Sequence, residues 1–592
     1  MKFFTFSVVF LFSTLSYSQD LNVNKSLKGF DKYVDQVLED WNEPGAGVAV
    51  VYKDQLVYAK GFGYRDYGNK LPVTENTLFQ IASNTKLFTT VAAGMLVEEG
   101  VWEWDKPIKE SVPEIEFYST RLNNQVTLRD MLGHKTGISR HDMIWFGTDF
   151  TRAEIFDKVK YMRPTSPLRQ DFIYNNVMYS AVGYGIELRT GKTWEDFVTE
   201  KILEPLNMKN TIYSIAEMQT KDDYGVPYNE KRDTTLLYKI PLKEDGTGVG
   251  PAGSMISNLT DMSHWVIALL NDGMYQGKEV ISPNILKESM KPGIAFRNWS
   301  LETKGHSEIL NSTYGMGRNM EIYKGHFFSL HGGDMPGFHS QVAIFPYDEI
   351  GIITFVIGDQ GADVRDILVY EVADRVLKLE KTDWNGRFLE EHLKGKEAAK
   401  QARAQAGYDR IEGTSPTHAL IEYTGTFKNE IYGPFTVSME DDSLSLNFRK
   451  VDYPLFHYHY NRFDTPDNED FGKWSLNYNI SPQGDINSIT MNIDEGQVIF
   501  EKLADANLSN PEVLAQYEGK YDYAGNELEL KIKDGKLTML GPPDQLFVPI
   551  KKHLFRVERQ DDFQIEFILE GEIVKGFSYK TPGGVYEVNR KE

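Results

Sequence analysis

Two β-rich hairpins placed far apart in the chain restrict its fold more than any other feature. The first runs Gly45-Ala46-Gly47-Val48-Ala49-Val50-Val51-Tyr52, turns through Lys53-Asp54 and returns over residues 55–61. The second joins Gln341-Val342-Ala343-Ile344-Phe345 to residues 350–356 and leads into a helical run near 370–379. Short β-branched runs about a tight turn read as hairpins rather than helices. Strands at both ends with helical patterns between them predict one antiparallel sheet completed by both ends of a domain. A mainly helical insertion then forms the other wall of a cleft. The expected fold class is α+β, with a short amphipathic helix over residues 27–41 ahead of the first hairpin.

The insertion carries the chemistry. Residues 77–86 end in Ser83-Asn84-Thr85-Lys86, followed by an apolar helical run through Leu87, Phe88, Val91, Ala92, Met95 and Leu96 that stops at Gly100. Ser83 is expected in the first helical turn, where unpaired backbone N–H groups and the helix dipole favour a developing negative charge. Lys86, one turn on, shares its face and can reach the hydroxyl; once desolvated, a lysine there can take part in proton transfer. Such a pair also arises as an ordinary capped helix start, but this is the only Ser-x-x-Lys in the chain. Further along lie His134-Lys135-Thr136-Gly137, Tyr174-Asn175-Asn176 opening a helix through Val182 and Ile186, and Pro251-Ala252-Gly253. Beside the closing hairpin lie Tyr314-Gly315-Met316-Gly317, His331-Gly332-Gly333-Asp334 and Pro336-Gly337-Phe338.

In these motifs and their order the chain resembles the penicillin-recognising serine hydrolases: class C β-lactamases, D,D-peptidases, D-aminopeptidases and related esterases. The match spans roughly residues 30–380. The resemblance implies a β-lactamase/transpeptidase-like sheet flanked by helices. It assigns Ser83 as the acyl-accepting nucleophile and Lys86 as its proton partner. Tyr174 would be the general base for acylation and general acid toward the leaving group, its phenol pKa held down by nearby ammonium charge. Asn176 would hydrogen-bond Lys86 and the substrate amide. The backbone N–H groups of Ser83 and Asp334 would form the oxyanion hole, with Gly332 and Gly333 letting the strand come close.

His331 stands where β-lactamases carry a lysine. A mostly neutral imidazole offers little to a substrate carboxylate, which disfavours penicillin-class substrates and suits esters or D-amino-acid amides. His134 reads as structural. The expected function is an exported serine hydrolase acting through a Ser83 acyl-enzyme on a small-molecule or peptide-like ester or amide, with no cofactor and no metal. Two alternatives stand beside it: a β-lactamase or D,D-carboxypeptidase/D-aminopeptidase proper, and a catalytically silent binding or scaffold protein of the same fold.

The remaining features bound the setting. Residues 1–18 place Lys2 before an apolar run at 3–15 and small residues at Ser16 and Ser18, which reads as a cleavable signal for the periplasm or exterior. No later stretch is apolar enough to span a membrane. The net charge of −22, or −23 once Lys2 is removed, disfavours nucleic acid. With no cysteine, disulfides, thiol catalysis and an N-terminal lipid anchor are excluded. The hydrolase domain is expected over 27–380 and a charged linker helix within 381–416.

An internal repeat follows: Glu422-Tyr423-Thr424-Gly425-Thr426-Phe427 recurs as Gln516-Tyr517-Glu518-Gly519-Lys520-Tyr521. It predicts two small lipocalin-like β-modules, 417–505 and 511–592, similar to β-domains appended to some hydrolases of the superfamily. The strand-like Phe456-His457-Tyr458-His459-Tyr460 reads as core packing on one face. The sequence does not specify the oligomeric state.

Overall fold

The computed structural model describes residues 22–243, 247–295, 306–469, 472–493, 496–504 and 507–591. The expected signal, residues 1–18, lies outside them. In chain order the strands of the main sheet are β1 (Gly45–Tyr52), β2 (Gln55–Asp66), β3 (Leu71–Pro72), β4 (Ile294–Ala295), β5 (Ile309–Tyr314), β6 (Asn319–Tyr323), β7 (His326–Met335), β8 (Phe338–Phe345) and β9 (Ile350–Ile357). Among the described residues they form one nine-stranded sheet in the order β4-β5-β6-β7-β8-β9-β1-β2-β3. The two hairpins thus meet as antiparallel neighbours, with Ala49 opposite Ile353 and Val50 opposite Ile352.

Both faces of this sheet are covered, so β1 and β9 are buried almost throughout and largely apolar. Val48, Val50, Ile350 and Ile352 point into one core, shared with Phe30, Val34, Val37 and Trp41 of helix α1 (Phe30–Trp41) and with Val364, Ile367, Leu368 and Val372 of the helix Gly361–Val376. That last helix starts well before residue 370, because its first sheet-facing apolar residues already follow helical spacing. Ala49, Val51, Ile353 and Phe355 point the other way, into the core built by the helical insertion. Within the insertion, helix α2 (Thr85–Glu98) is buried on nearly every side, and α3 (Asn176–Thr190) packs beside it.

The charged linker run is the helix Trp384–Ala404. It is anchored by fully buried Trp384, whose indole N–H donates to Tyr323 at 3.0 Å. Its charges are not all left to solvent: Lys396 and Arg403 pair with Glu230 and Asp233 of the hydrolase domain at 2.5 and 2.7 Å.

Beyond it, two closed barrels follow, each of eight strands among the described residues. The first closes where Phe427 and Lys428 pair with Lys502 and Glu501, the second where Tyr521 and Asp522 pair with Arg590 and Asn589. The repeated Tyr-x-Gly has a physical basis. Tyr423 and Tyr517 are buried in the two barrel cores, and Gly425 and Gly519 adopt φ of +137° and +152°, which a Cβ would resist. Phe427, Phe435, Tyr478 and Phe500 fill the first interior, so it is a packed core. In the strand Val451–His459 it is Tyr453 and Leu455 that enter this barrel's core. The expectation of core packing for 456–460 is corrected: Phe456 is exposed, and Tyr458, buried but not part of that core, bonds Asp409 and lies under Arg462. Among the described residues no helix is long and apolar enough to cross a membrane.

Candidate active site

The turn bearing Ser83 is held from several directions. Thr74 and Thr77 hydroxyls donate to Asp223, each at 2.6 Å, and Phe79-Gln80 pairs with Ile256-Ser257. Next comes Ala82 at φ +46°, a left-handed conformation that costs a non-glycine residue on the order of 1–3 kcal/mol and needs its surroundings to hold it. They do so. The Asn84 amide donates to Ser340 Oγ at 2.8 Å, and Ser340 in turn donates to the Ile81 carbonyl at 2.7 Å, tying the turn to β8. Ser83 sits in the single 3₁₀ turn Ala82–Asn84 that leads into α2, one step ahead of the helix proper.

Lys86 is completely buried. Its Nζ donates to Ser83 Oγ at 3.0 Å and to the Ala252 carbonyl at 2.8 Å, while Thr89 one turn on donates to the Pro251 carbonyl at 2.6 Å. The Pro251-Ala252-Gly253 motif thus supplies the Ala252 carbonyl that aims the lysine and the Pro251 carbonyl that ties the motif to the next turn of α2. Tyr174 hydrogen-bonds Ser83 through its hydroxyl, and Lys86 Nζ lies 4.7 Å from its ring centroid. The expectation of a phenol held down by cationic charge is corrected here. Desolvation dominates and pushes Tyr174 well above the ordinary phenol range; the Ser83 hydrogen bond and the Arg140 cation act downward but are outweighed.

Strand β7 forms the opposite wall. Its pairing with β6 ends at Leu330, so among the described residues the stretch 331–335 keeps one edge free of ladder partners. That stretch presses against the nucleophile turn, since a Cβ added at Gly333 would lie 2.1 Å from the Ile81 carbonyl oxygen. Asp334 turns its carboxylate away, toward Arg365 at 2.6 Å and His339 at 2.7 Å. Burial alone would raise its pKa, but these two partners bring it down to about 2. What Asp334 can offer the site is its backbone.

His331 is 8% exposed. Its Nδ1 lies 2.6 Å from the Gly332 carbonyl, which can only accept, so Nδ1 carries the proton and Nε2 accepts from the Tyr314 hydroxyl at 3.0 Å. Burial first, then the positive charge of Lys86, push its pKa down to about 3. The imidazole is neutral.

Asn176 opens α3 behind its cap, Asn175, and donates its amide N–H to Asp142 at 3.0 Å, a partner the sequence reading did not name. His134 is fully buried, accepts the Asn175 backbone N–H at 3.0 Å and lies 4.3 Å, ring to ring, from Tyr174. It shapes the site without carrying charge, because burial holds its pKa well below the ordinary value. Sequence reasoning also missed Arg140, whose guanidinium stands 5.2 Å over the Tyr174 ring. Neither Arg140 nor Asp142 belongs to a periodic run, and no local pattern announced them. Beside Asp334 opens a cavity of about 520 Å³ whose walls include Phe146, Lys243, Met335 and His339 from the hydrolase domain and Glu469 from the first barrel. Among the described residues no group of three His, Asp or Glu could hold a metal ion.

With buried Lys86 on Ser83 Oγ, Tyr174 on the same oxygen and a glycine strand against the turn, the class is defined. The chain belongs to the Beta-lactamase family, whose model matches residues 30–376, and is a serine hydrolase of that family. A second model, a domain of unknown function (DUF3471), matches residues 409–506. Among curated relatives, "Unguisins hydrolase ungD'" of Aspergillus campestris is 29% identical over 435 residues, covering 70% of this chain and 78% of that protein. "Protein flp" of Staphylococcus aureus strain MW2 is 27% identical over 256 residues, 42% of this chain and 50% of that one. Among solved structures, the octameric penicillin-binding protein homologue from Pyrococcus abyssi superposes with a TM-score of 0.54 over 89% of this chain and all of that one; at 18% identity the likeness is one of fold.

Proposed function

We propose that this protein is an exported hydrolase that cleaves an ester or peptide-like amide through an acyl-enzyme on Ser83. One observation carries the reading: Ser83 Oγ receives Lys86 Nζ at 3.0 Å while also hydrogen-bonded to Tyr174. In the reactive form, reached once the Lys86 ammonium has released a proton to solvent, Oγ attacks the carbonyl carbon, its own proton passes to the Lys86 amine, and the carbonyl electron pair moves to the oxygen. The backbone N–H groups of Ser83 and Asp334 receive that oxyanion. When the intermediate collapses, the C–O or C–N bond breaks and the leaving group takes the Tyr174 hydroxyl proton, which Lys86 replaces. A phenol kept protonated by burial suits a donor better than a base. Water then releases the acyl group by the reverse sequence.

The neutral His331 favours donors without a free carboxylate over penicillin-class substrates. A relative is named for hydrolysing unguisins, and these belong in the substrate panel beside neutral esters, D-amino-acid amides and a chromogenic cephalosporin. Export rests on Lys2 and the apolar run behind it. Intact-mass spectrometry after a fluorophosphonate should show one adduct, absent in Ser83→Ala; labelling that survives the substitution would sink the assignment.

A further inference from the structure

We propose that the first barrel is a working part of the hydrolase site, gripping residues 140–146 and through them positioning Asn176 and Tyr174. This rests on the reading of Ser83 as the nucleophile, and it gives a role to the region matched by a domain of unknown function. The segment shows two faces in alternation. His141 and Met143 turn to the barrel: His141 Nδ1 lies 2.7 Å from the Tyr432 hydroxyl, and Met143, though part of the hydrolase domain, is buried as a member of the barrel's own apolar core. Phe146 packs against the same core. Arg140 and Asp142 turn to the site. Asp142 accepts from Asn176 at 3.0 Å, from the Trp145 indole at 3.0 Å and from Arg140 at 2.6 Å, and Arg140 stands over the Tyr174 ring at 5.2 Å.

The grip continues past the segment. Lys450 pairs with Asp149 at 2.5 Å, and Lys158 donates to the Glu430 carbonyl at 2.7 Å. Residues 140–146 have little regular structure of their own beyond a single turn, Asp142–Ile144, and His141 is left-handed at φ +49°. A stretch of this kind keeps one conformation only where its surroundings impose it. Here the imposing surface is the barrel. Met143, His141, Tyr432 and Phe146 are therefore positioning residues, acting through Asp142 and Arg140 on groups that touch Ser83 or flank it.

The test follows fluorophosphonate labelling of the full-length chain over time, reading amplitude and rate separately, together with kcat and KM on one ester. Tyr432→Phe removes a single hydroxyl, Met143→Ala empties the plug, and Met143→Leu refills it. Both disruptive variants should reach full labelling amplitude about tenfold more slowly, with kcat falling in parallel and KM changing less, since small misplacements of reacting groups carry large rate costs. Met143→Leu should recover to within about twofold. If Met143→Ala does not fold, Tyr432→Phe alone decides. Full amplitude at the wild-type rate, or lost amplitude with the remaining molecules labelling normally, would overturn the proposal, because the barrel would then serve folding only. Failure of the wild-type chain to label at Ser83 is seen in the reference arm; it removes the nucleophile reading and this inference with it.

Discussion

The Tyr314 hydroxyl donates to Nε2 of His331 at 3.0 Å, so that ring is fully engaged as a neutral acceptor and donor in a buried wall of the site. An unfolded chain protonates the same histidine near pH 6.5, whereas in the folded protein its pKa is pushed down to about 3. Between these values the unfolded state binds the extra proton. The stability contributed by His331 is therefore complete above pH 6.5 and is lost as pH falls toward 3, by roughly 1.4 kcal/mol per pH unit at most. Thermal melts from pH 7.5 to 4 should fall less steeply for His331→Gln than for the wild type; equal slopes would show that the ring is charged in the folded protein.

The same surroundings predict the fate of a lysine at this position. His331→Lys would put an ammonium into a buried site already under the positive charges of Lys86 and Arg365, at a cost of about 3–5 kcal/mol if the charge stays unpaired. The variant should melt earlier and gain no preference for carboxylate-bearing substrates over neutral esters. A stable variant with a raised carboxylate preference would show that the pocket can solvate or pair that charge.

Gly333 and Gly332 test the close approach of β7. A methyl group on Gly333 meets the Ile81 carbonyl at 2.1 Å, a backbone atom next to the nucleophile turn, whereas one on Gly332 meets the Arg365 guanidinium at 2.5 Å, the far end of a long side chain. Gly333→Ala should lower kcat by about a hundredfold or more, the scale of a lost oxyanion donor, with the fold intact. Gly332→Ala should lose only a few-fold by the same measure. Equal losses would argue that β7 does not supply the oxyanion donor.

These contrasts also show what could be read without coordinates. The two hairpins were legible because strands buried on both faces are written as largely apolar, β-branched-rich runs, as in β1 and β9. The outer strands β4 to β6 were not, being short and containing Asn311, Asn319 and a bulge between Leu310 and Thr313. The repeat disclosed the two barrels because each must start with a buried tyrosine and a glycine in an unusual conformation. The closeness of Ser83 and Lys86 was legible from their three-residue spacing, but that spacing also fits an ordinary helix start, and only the ordered set of motifs further along gave the pair a role. The direction of the Tyr174 shift was misread, since sequence displays neighbouring charge but not desolvation. His141 and Tyr432 meet across nearly three hundred residues, and nothing local in either segment encodes that meeting.

The last prediction concerns Lys86 and Tyr174 as one proton-transfer unit. Lys86 Nζ lies 3.0 Å from Ser83 Oγ and 4.7 Å from the centre of the Tyr174 ring, and both groups bond the same serine. If a proton leaves Ser83 through Lys86 and reaches the leaving group through Tyr174, removing either group breaks the same path. Lys86→Ala and Tyr174→Phe should each lower kcat by about 10²–10⁴-fold, and the double variant should fall scarcely further than the worse single one. An ester with an acidic alcohol, which leaves without help, should spare Tyr174→Phe more than Lys86→Ala, because only the second substitution removes the group that takes the serine proton. Melting curves keep folding separate from chemistry. Strictly multiplicative losses, or near-normal turnover of amides by Tyr174→Phe, would show that the two residues act on separate steps and that the leaving group takes its proton from elsewhere.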